Sequence, residues 1–217
     1  MSERRGDKRA EVLREAARLF MASGFHGTSM DDIASALGFT KAALYHYFRA
    51  KSDILYEIYD AVASEVGDRL DKHDPGLVPE ERLHQTMRDM MHVIAEMPIE
   101  VTVFFQEGPL LGSCLPRRQA KELRTKEQRF TDYVTDAVED AMDAGVLRRA
   151  DPTMTAYAFI GMVSWASRWY QPGGRAGVND IADFFFALGM DGARAGSPIP
   201  TTTPTSRTAN RSVGTAD

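Results

Sequence analysis

Between Thr28 and Phe48 the chain sets two helical segments, each too short to persist alone, on either side of a single glycine. That arrangement leaves few folds open. Thr28-Ser29-Met30-Asp31-Asp32 puts hydroxyl caps ahead of two acids, which suits the orphan N–H groups and positive end of a helix start, and this helix runs to about Leu37. Gly38 supplies a left-handed stop, Phe39 plugs the turn, and Thr40 caps a second short helix carrying Ala42, Ala43, Leu44, Tyr45 and Phe48. Upstream, Val12, Leu13, Ala16, Ala17, Leu19 and Phe20 recur at helical spacing from Lys8 to Ser23, with Gly24 as the stop. Two short helices around a tight glycine turn form a helix-turn-helix unit, whose second helix has the diameter of a DNA major groove.

Charge is spread unevenly in a way that agrees. Residues 1–51 hold nine Lys or Arg against six Asp or Glu, so they carry +3 and the remainder −8 of a net charge of −5. A small basic module on an acidic body points one face at a polyanion and repels it elsewhere; a general nucleic-acid coat is excluded. With 217 residues, 43% apolar and 26% charged, the chain can bury a core without covalent staples. The lone Cys114 has no internal disulfide partner and no charged-then-apolar leader opens the sequence, so a reduced, cytoplasmic location is expected. No stretch reaches the roughly 18 uninterrupted apolar residues of a bilayer span, and no membrane partner is expected.

Downstream the pattern stays helical. Ser52 and Asp53 open a longer helix to about Leu70 that bridges to a second module, and His73-Asp74-Pro75-Gly76 marks a loop. Glu80 to Met97 is helical and stopped by Pro98. Ile99 to Phe105 alternates as a strand would, but no other segment can pair with it, which predicts a short buried helix broken at Gly108-Pro109. A long charged helix follows from Pro116 to Gly145, and Asp151-Pro152-Thr153 opens another that runs to about Tyr170. This helix and the one spanning Ile181 to Leu188 lack a clean polar face, so both need cover on two sides; a second copy completing a four-helix bundle supplies it. Beyond Gly192, fourteen of the last twenty-five residues are Gly, Ser, Thr or Pro, the composition of a disordered tail.

Thr28-Ser29-Met30-Asp31-Asp32-Ile33-Ala34, followed by Leu37-Gly38-Phe39-Thr40-Lys41-Ala42-Ala43-Leu44-Tyr45-His46-Tyr47-Phe48-Arg49-Ala50-Lys51-Ser52-Asp53, closely resembles the DNA-binding signature of TetR-family transcriptional regulators. The resemblance implies an all-α homodimeric repressor. Its domains would be a helix-turn-helix DNA-binding domain at 1–51, a ligand-binding and dimerisation domain at 52–192 and a tail at 193–217. Further on, Asp151-Pro152 leading into Gly161-Met162-Val163-Ser164-Trp165-Ala166-Ser167-Arg168-Trp169-Tyr170-Gln171-Pro172-Gly173-Gly174-Arg175, then Ile181-Ala182, resembles the branch of the family that senses acyl-CoA thioesters of fatty-acid and sterol breakdown.

On this resemblance Thr40, Lys41 and Ala43 occupy the turn that meets base edges: Lys41 can donate to guanine O6 or N7, and Ala43 admits a thymine methyl. Tyr45 and His46 follow where phosphates are contacted, and Lys51 stands where helix amides and an ammonium converge on one phosphate. Thr28 has two readings, a phosphate contact or a plain N-cap. Tyr47 and Phe48 are expected to pack the small core or to skirt the DNA backbone. An acid at Asp31 repels phosphate, so no contact is carried over to it. The expected effector is hydrophobic, in the acyl-CoA class, with no cofactor and no metal. Its candidate contacts are Tyr59, Met87, Met91, Phe105, Phe130, Tyr133, Met162, Trp165 and Trp169, adaptable Met and aromatic surface of the kind that lines pockets, although a core place accounts for any one of them as well. Arg168 suits a thioester carbonyl, a CoA phosphate or an interface ion pair.

Catalysis finds no support in the residues. The five histidines lack partners at metal-ligand spacing, Asp89 and His92 suit a surface pair, and neither a nucleophile elbow nor a phosphate loop is present. The competing expectation is a helical small-molecule-binding or interaction protein that keeps a vestigial helix-turn-helix.

Overall fold

The computed structural model describes residues 2–193, with side chains from residue 6 onward. The tail expected beyond Gly192 therefore lies, but for Ala193, outside the described residues. Ten α-helices follow one another: α1 Ser2–Gly27, α2 Met30–Ala36, α3 Lys41–Tyr47, α4 Lys51–Leu70, α5 Pro79–Glu96, α6 Pro98–Glu107, α7 Leu111–Cys114, α8 Arg117–Asp143, α9 Pro152–Ser164 and α10 Val178–Ala193. No strand occurs among the described residues, and the segment that alternates like one, Ile99 to Phe105, is the body of α6. None of these helices is long and apolar enough to cross a membrane.

The glycine punctuation acts as expected. Gly38 adopts φ +64° between α2 and α3, and Gly24 adopts φ +73° near the end of α1, which breaks the helix and aims a last turn at the rest of the head. Ser29, not Thr28, caps α2: its Oγ accepts from Asp32 N–H at 3.1 Å while Asp32 accepts from Ser29 N–H at 2.8 Å. Ser29 Oγ also donates to Asp32 Oδ2 at 2.7 Å, and this bond first, with the one from Ser29 N–H second, holds the Asp32 carboxyl below its usual range.

Two apolar clusters form. One joins Val12, Phe20, Ile33, Leu44 and Phe48 of the first three helices to Ile54 and Ile58 of α4 and on to Val103 and Leu123, so the core of the head runs past residue 51 into the helices behind it. The other joins α5, α8, α9 and α10 through residues such as Met91, Val138, Phe159 and Ala182. Arg9 clamps the two ends of the head, forking onto the Glu57 carboxylate with its guanidinium 4.5 Å from the Phe48 ring centroid.

The structure departs from expectation at the end of α9. That helix stops at Ser164 and tightens into a 3-10 turn at Trp165–Arg168 before the glycine-rich loop, where the sequence predicts a helix to about Tyr170. α9 and α10 pack so closely that a Cβ on Gly189 would sit 2.5 Å from Phe159 Cε1 and 2.9 Å from Met162 Cε. Alanine gains up to about 1 kcal/mol of helix propensity over glycine. Overpacking a core costs about 1–3 kcal/mol, and the Phe159 ring is buried and cannot swing clear. Gly189→Ala is therefore expected to lower the thermal midpoint, measured by circular dichroism.

Candidate nucleic-acid interface and effector cavity

The first turn of α3 is built to be presented. Thr40 Oγ1 accepts from Ala43 N–H at 3.2 Å, Leu44 is fully buried beneath the helix, and Phe48 anchors its end at 2% exposure. With that face fixed, Thr40, Lys41, Tyr45 and His46 are exposed and Ala43 is half-buried. Tyr47 is half-buried against Phe39, with ring centroids 6.3 Å apart. Five of the seven residues expected at DNA thus remain at least partly accessible on α3 and its cap.

Thr28 and Lys51 lie outside that helix, and both expectations need correcting. Thr28 is 4% exposed and its hydroxyl donates to Gly24 O at 2.9 Å, within reach also of Leu19 O at 3.3 Å, so it closes the turn after α1. The Lys51 ammonium points inward, donating to Thr28 O at 2.5 Å and to Phe25 O, and lies 4.2 Å from the Phe25 ring centroid. Backbone carbonyls there outcompete solvent because burial, which also lowers the Lys51 pKa, leaves the ammonium needing close acceptors. In the free protein the Lys51 ammonium clamps the head.

Asp31 has a role that sequence reasoning missed. Its carboxylate receives Lys41 Nζ at 2.9 Å, and the hydrogen bond raises the lysine above its usual pKa. Both side chains are well exposed, so the pair is weak and Lys41 is exchangeable toward a base edge.

Behind the head, α4, α5, α6, α8 and α9 line a half-open cavity of about 320 Å³. Val62, Val66, Met90, Val101, Phe104, Phe105, Phe130, Tyr157 and Ile160 supply its apolar wall, and Lys126, Glu127, Thr131 and Ser164 its polar groups. Lys126 Nζ is held by Asp60 Oδ1 at 2.5 Å and Ser64 Oγ at 2.9 Å. Of the ten residues expected at the effector, Phe105 and Phe130 line this cavity. Tyr59 stands directly behind its wall, stacked on Phe104 with centroids 4.0 Å apart and donating to Glu127, and burial pushes its hydroxyl pKa up.

The other seven are placed elsewhere. Met87 and Met91 are buried in the α5 core, and Met162 packs at the α9–α10 contact. Tyr133 faces away, its hydroxyl 2.7 Å from Nδ1 of the buried His73, whose Nε2 is 2.7 Å from Asp89 Oδ2. Asp89 is thereby paired with His73, and not with His92 as its spacing suggested; His92 reaches Asn179 at 3.0 Å. Trp165 and Trp169 are 61% and 46% exposed on the outer face of the last helices, and the Arg168 guanidinium lies 5.0 Å from the Trp165 ring centroid. A larger groove of about 930 Å³ along α8 is lined by Arg117, Lys121, Arg124 and Arg129 together with Asp132 and Asp136, and Tyr133 belongs to its wall. Its many charged groups suit it poorly to an apolar chain, whereas the smaller cavity is walled mostly by apolar side chains, so the smaller one is the better effector candidate.

The model of the "Bacterial regulatory proteins, tetR family" matches residues 12–58, and that of the "Tetracyclin repressor-like, C-terminal domain" matches residues 76–193. Among curated relatives, the HTH-type transcriptional repressor KstR2 of Mycolicibacterium smegmatis is 29% identical over 189 residues, covering 85% of this chain and 90% of the relative. Among solved structures, the ketosteroid transcriptional regulator KstR2 of Mycobacterium tuberculosis superposes with a TM-score of 0.75 at 22% identity, covering 86% of this chain and 95% of that one. AibR in complex with isovaleryl coenzyme A and operator DNA superposes with a TM-score of 0.70 at 30% identity, covering 83% and 96%. With an exposed helix-turn-helix, an all-helical body behind it and two family models that between them cover most of the chain, this protein belongs to the TetR family of bacterial transcriptional regulators.

Proposed function

We propose that this regulator is a homodimeric repressor that binds an inverted-repeat operator and is released by a hydrophobic effector of the acyl-CoA class. The exposed first turn of α3 carries the DNA half of the reading: Thr40, Lys41 and Ala43 meet base edges, and Tyr45 and His46 meet the flanking phosphates. Two such heads on a two-fold dimer face successive major grooves, about 34–36 Å apart or a multiple of that.

For the effector, the support is the cavity and the relative that binds isovaleryl coenzyme A. At about 320 Å³ the cavity stands at the lower end of the roughly 300–1,000 Å³ range of ligand pockets, which suits a compact acyl group with its CoA portion outside. An occupant that binds the DNA-incompetent arrangement better shifts the population away from the operator.

The test begins with duplexes selected from a random pool by the full-length protein, which should converge on an inverted repeat. A panel of acyl-CoA esters graded by chain length is then added to that complex. Release by short or branched acyl groups is expected, and failure of every ester rejects the effector class while leaving the operator result standing.

A further inference from the structure

Phe25 is held from two sides by two of the helices that wall the cavity. Its N–H donates to Oε1 of Glu107 on α6 at 2.9 Å, and its carbonyl accepts from Lys51 at the start of α4. Glu107 is 4% exposed, an uncommon place for a carboxylate, and Gly24 at φ +73° is what turns the Phe25 N–H toward it. A Cβ on Gly24 would lie 3.6 Å from Glu107 Oε1, so the two chains are in contact at this point. The turn they grip leads directly into α2, because Thr28 bonds back to Gly24 O at 2.9 Å and the next residue caps α2.

The two grips differ in their distance from the cavity. On α4, Lys51 precedes the wall residue Val62 by eleven positions, about 16 Å of helix. On α6, Glu107 follows the wall residue Phe104 by three positions, about 4.5 Å, less than one turn. A helix that short cannot absorb a displacement between those points. A shift of Phe104 by an occupant is delivered to the Glu107 carboxylate, and a hydrogen bond of 2.9 Å survives little more than half an ångström of stretching.

We propose that Glu107 is a positioning residue for operator binding, and that its hydrogen bond to the Phe25 N–H carries the state of the cavity to the helix-turn-helix. This rests on the reading of the cavity as the effector site. The cavity can be filled without knowing the effector: Thr131→Phe adds a ring from α8 and Ser164→Phe one from α9, and neither substitution changes a residue of α4, α6 or the head. Each filler is combined with Glu107→Leu, which removes the acceptor, and with Glu107→Gln, which keeps one. Operator affinity is measured by fluorescence anisotropy on the selected duplex, and folding by circular dichroism.

Each filler is expected to weaken operator binding about 10-fold with Glu107 in place, within the roughly 5–150-fold range of allosteric couplings. The loss should shrink below about 2-fold with Glu107→Leu and return with Glu107→Gln, because coupling between interacting sites disappears when the link is cut. Equal losses in the Glu107 and Leu backgrounds overturn the role of Glu107 and leave the cavity reading intact. A Gln background that behaves like Leu overturns the hydrogen bond as the carrier. No loss from either correctly folded filler in the Glu107 background overturns both the cavity reading and the inference built on it.

Discussion

Raising the salt from 50 to 200 mM is expected to lower operator affinity by about 10³ to 10⁵, the loss for a protein making roughly six to ten phosphate contacts. The head bears the cations for this: Lys8, Arg14, Arg18, Lys41 and Arg49 are all exposed. Three to five contacts from each head of a dimer give about the required number. In the free protein Lys51 is not among these exposed cations, since its ammonium is committed to the carbonyls of Phe25 and Thr28. Lys8 and Arg18 are paired with Glu11 and Glu15, and Lys41 with Asp31, but these are exposed ion pairs that cost little to exchange for phosphate or base. Within the same titration Lys41→Ala should cost about 1–3 kcal/mol and relax the preference at one base position, whereas Tyr45→Ala should weaken all sequences alike. A response to salt that is nearly flat, in a protein that remains a dimer, would instead favour a helical binding module whose helix-turn-helix no longer meets DNA.

The head was legible in the sequence because its boundaries are set locally. Gly24, Gly38 and Thr40 each do one backbone task that few other residues perform as well, and the apolar spacing from Val12 to Phe20 assigns the buried face of α1 without knowledge of its neighbours. The errors arose where the deciding partner is a backbone atom or a distant residue. Nothing in the chemistry of lysine indicates that Lys51 will turn toward two carbonyls more than twenty positions upstream, nor that the Glu107 carboxylate will find the N–H of Phe25. The cavity was legible only in kind. Composition showed that Met and aromatic residues abound behind the head, but whether one of them faces a void, as Phe130 does, or a neighbour, as Met91 does, depends on the angles at which five helices meet. The i, i+3 and i+4 set Val101, Phe104 and Phe105, with Phe130 on another helix, is the signal that would have narrowed the choice.

Replacing Phe184 and Leu188 by Glu is expected to convert the protein to a monomer and to reduce operator affinity by about 10²- to 10⁴-fold, the advantage normally gained by linking two binding modules. In a single chain these residues are 64% and 55% exposed, and Met154, Tyr157, Trp165 and Trp169 on α9 and the turn after it are similarly bare, at 73%, 57%, 61% and 46%. Six large apolar side chains on α9, the turn after it and α10 leave apolar surface that water disfavours, and burying each is worth about 1.5–3 kcal/mol relative to full exposure. In the proposed homodimer a second copy of the same pair would be the cover, since α9 and α10 already pack against each other and need only two more helices to complete a bundle. Glutamate at Phe184 and Leu188 removes that gain and would place unpaired charge inside the contact, so a large effect follows from two substitutions far from α3. Sedimentation equilibrium checks the assembly and fluorescence anisotropy the operator. A doubly substituted protein that stays dimeric would place the contact on another face, and a folded monomer that still binds the inverted repeat at full strength would show that one head is enough.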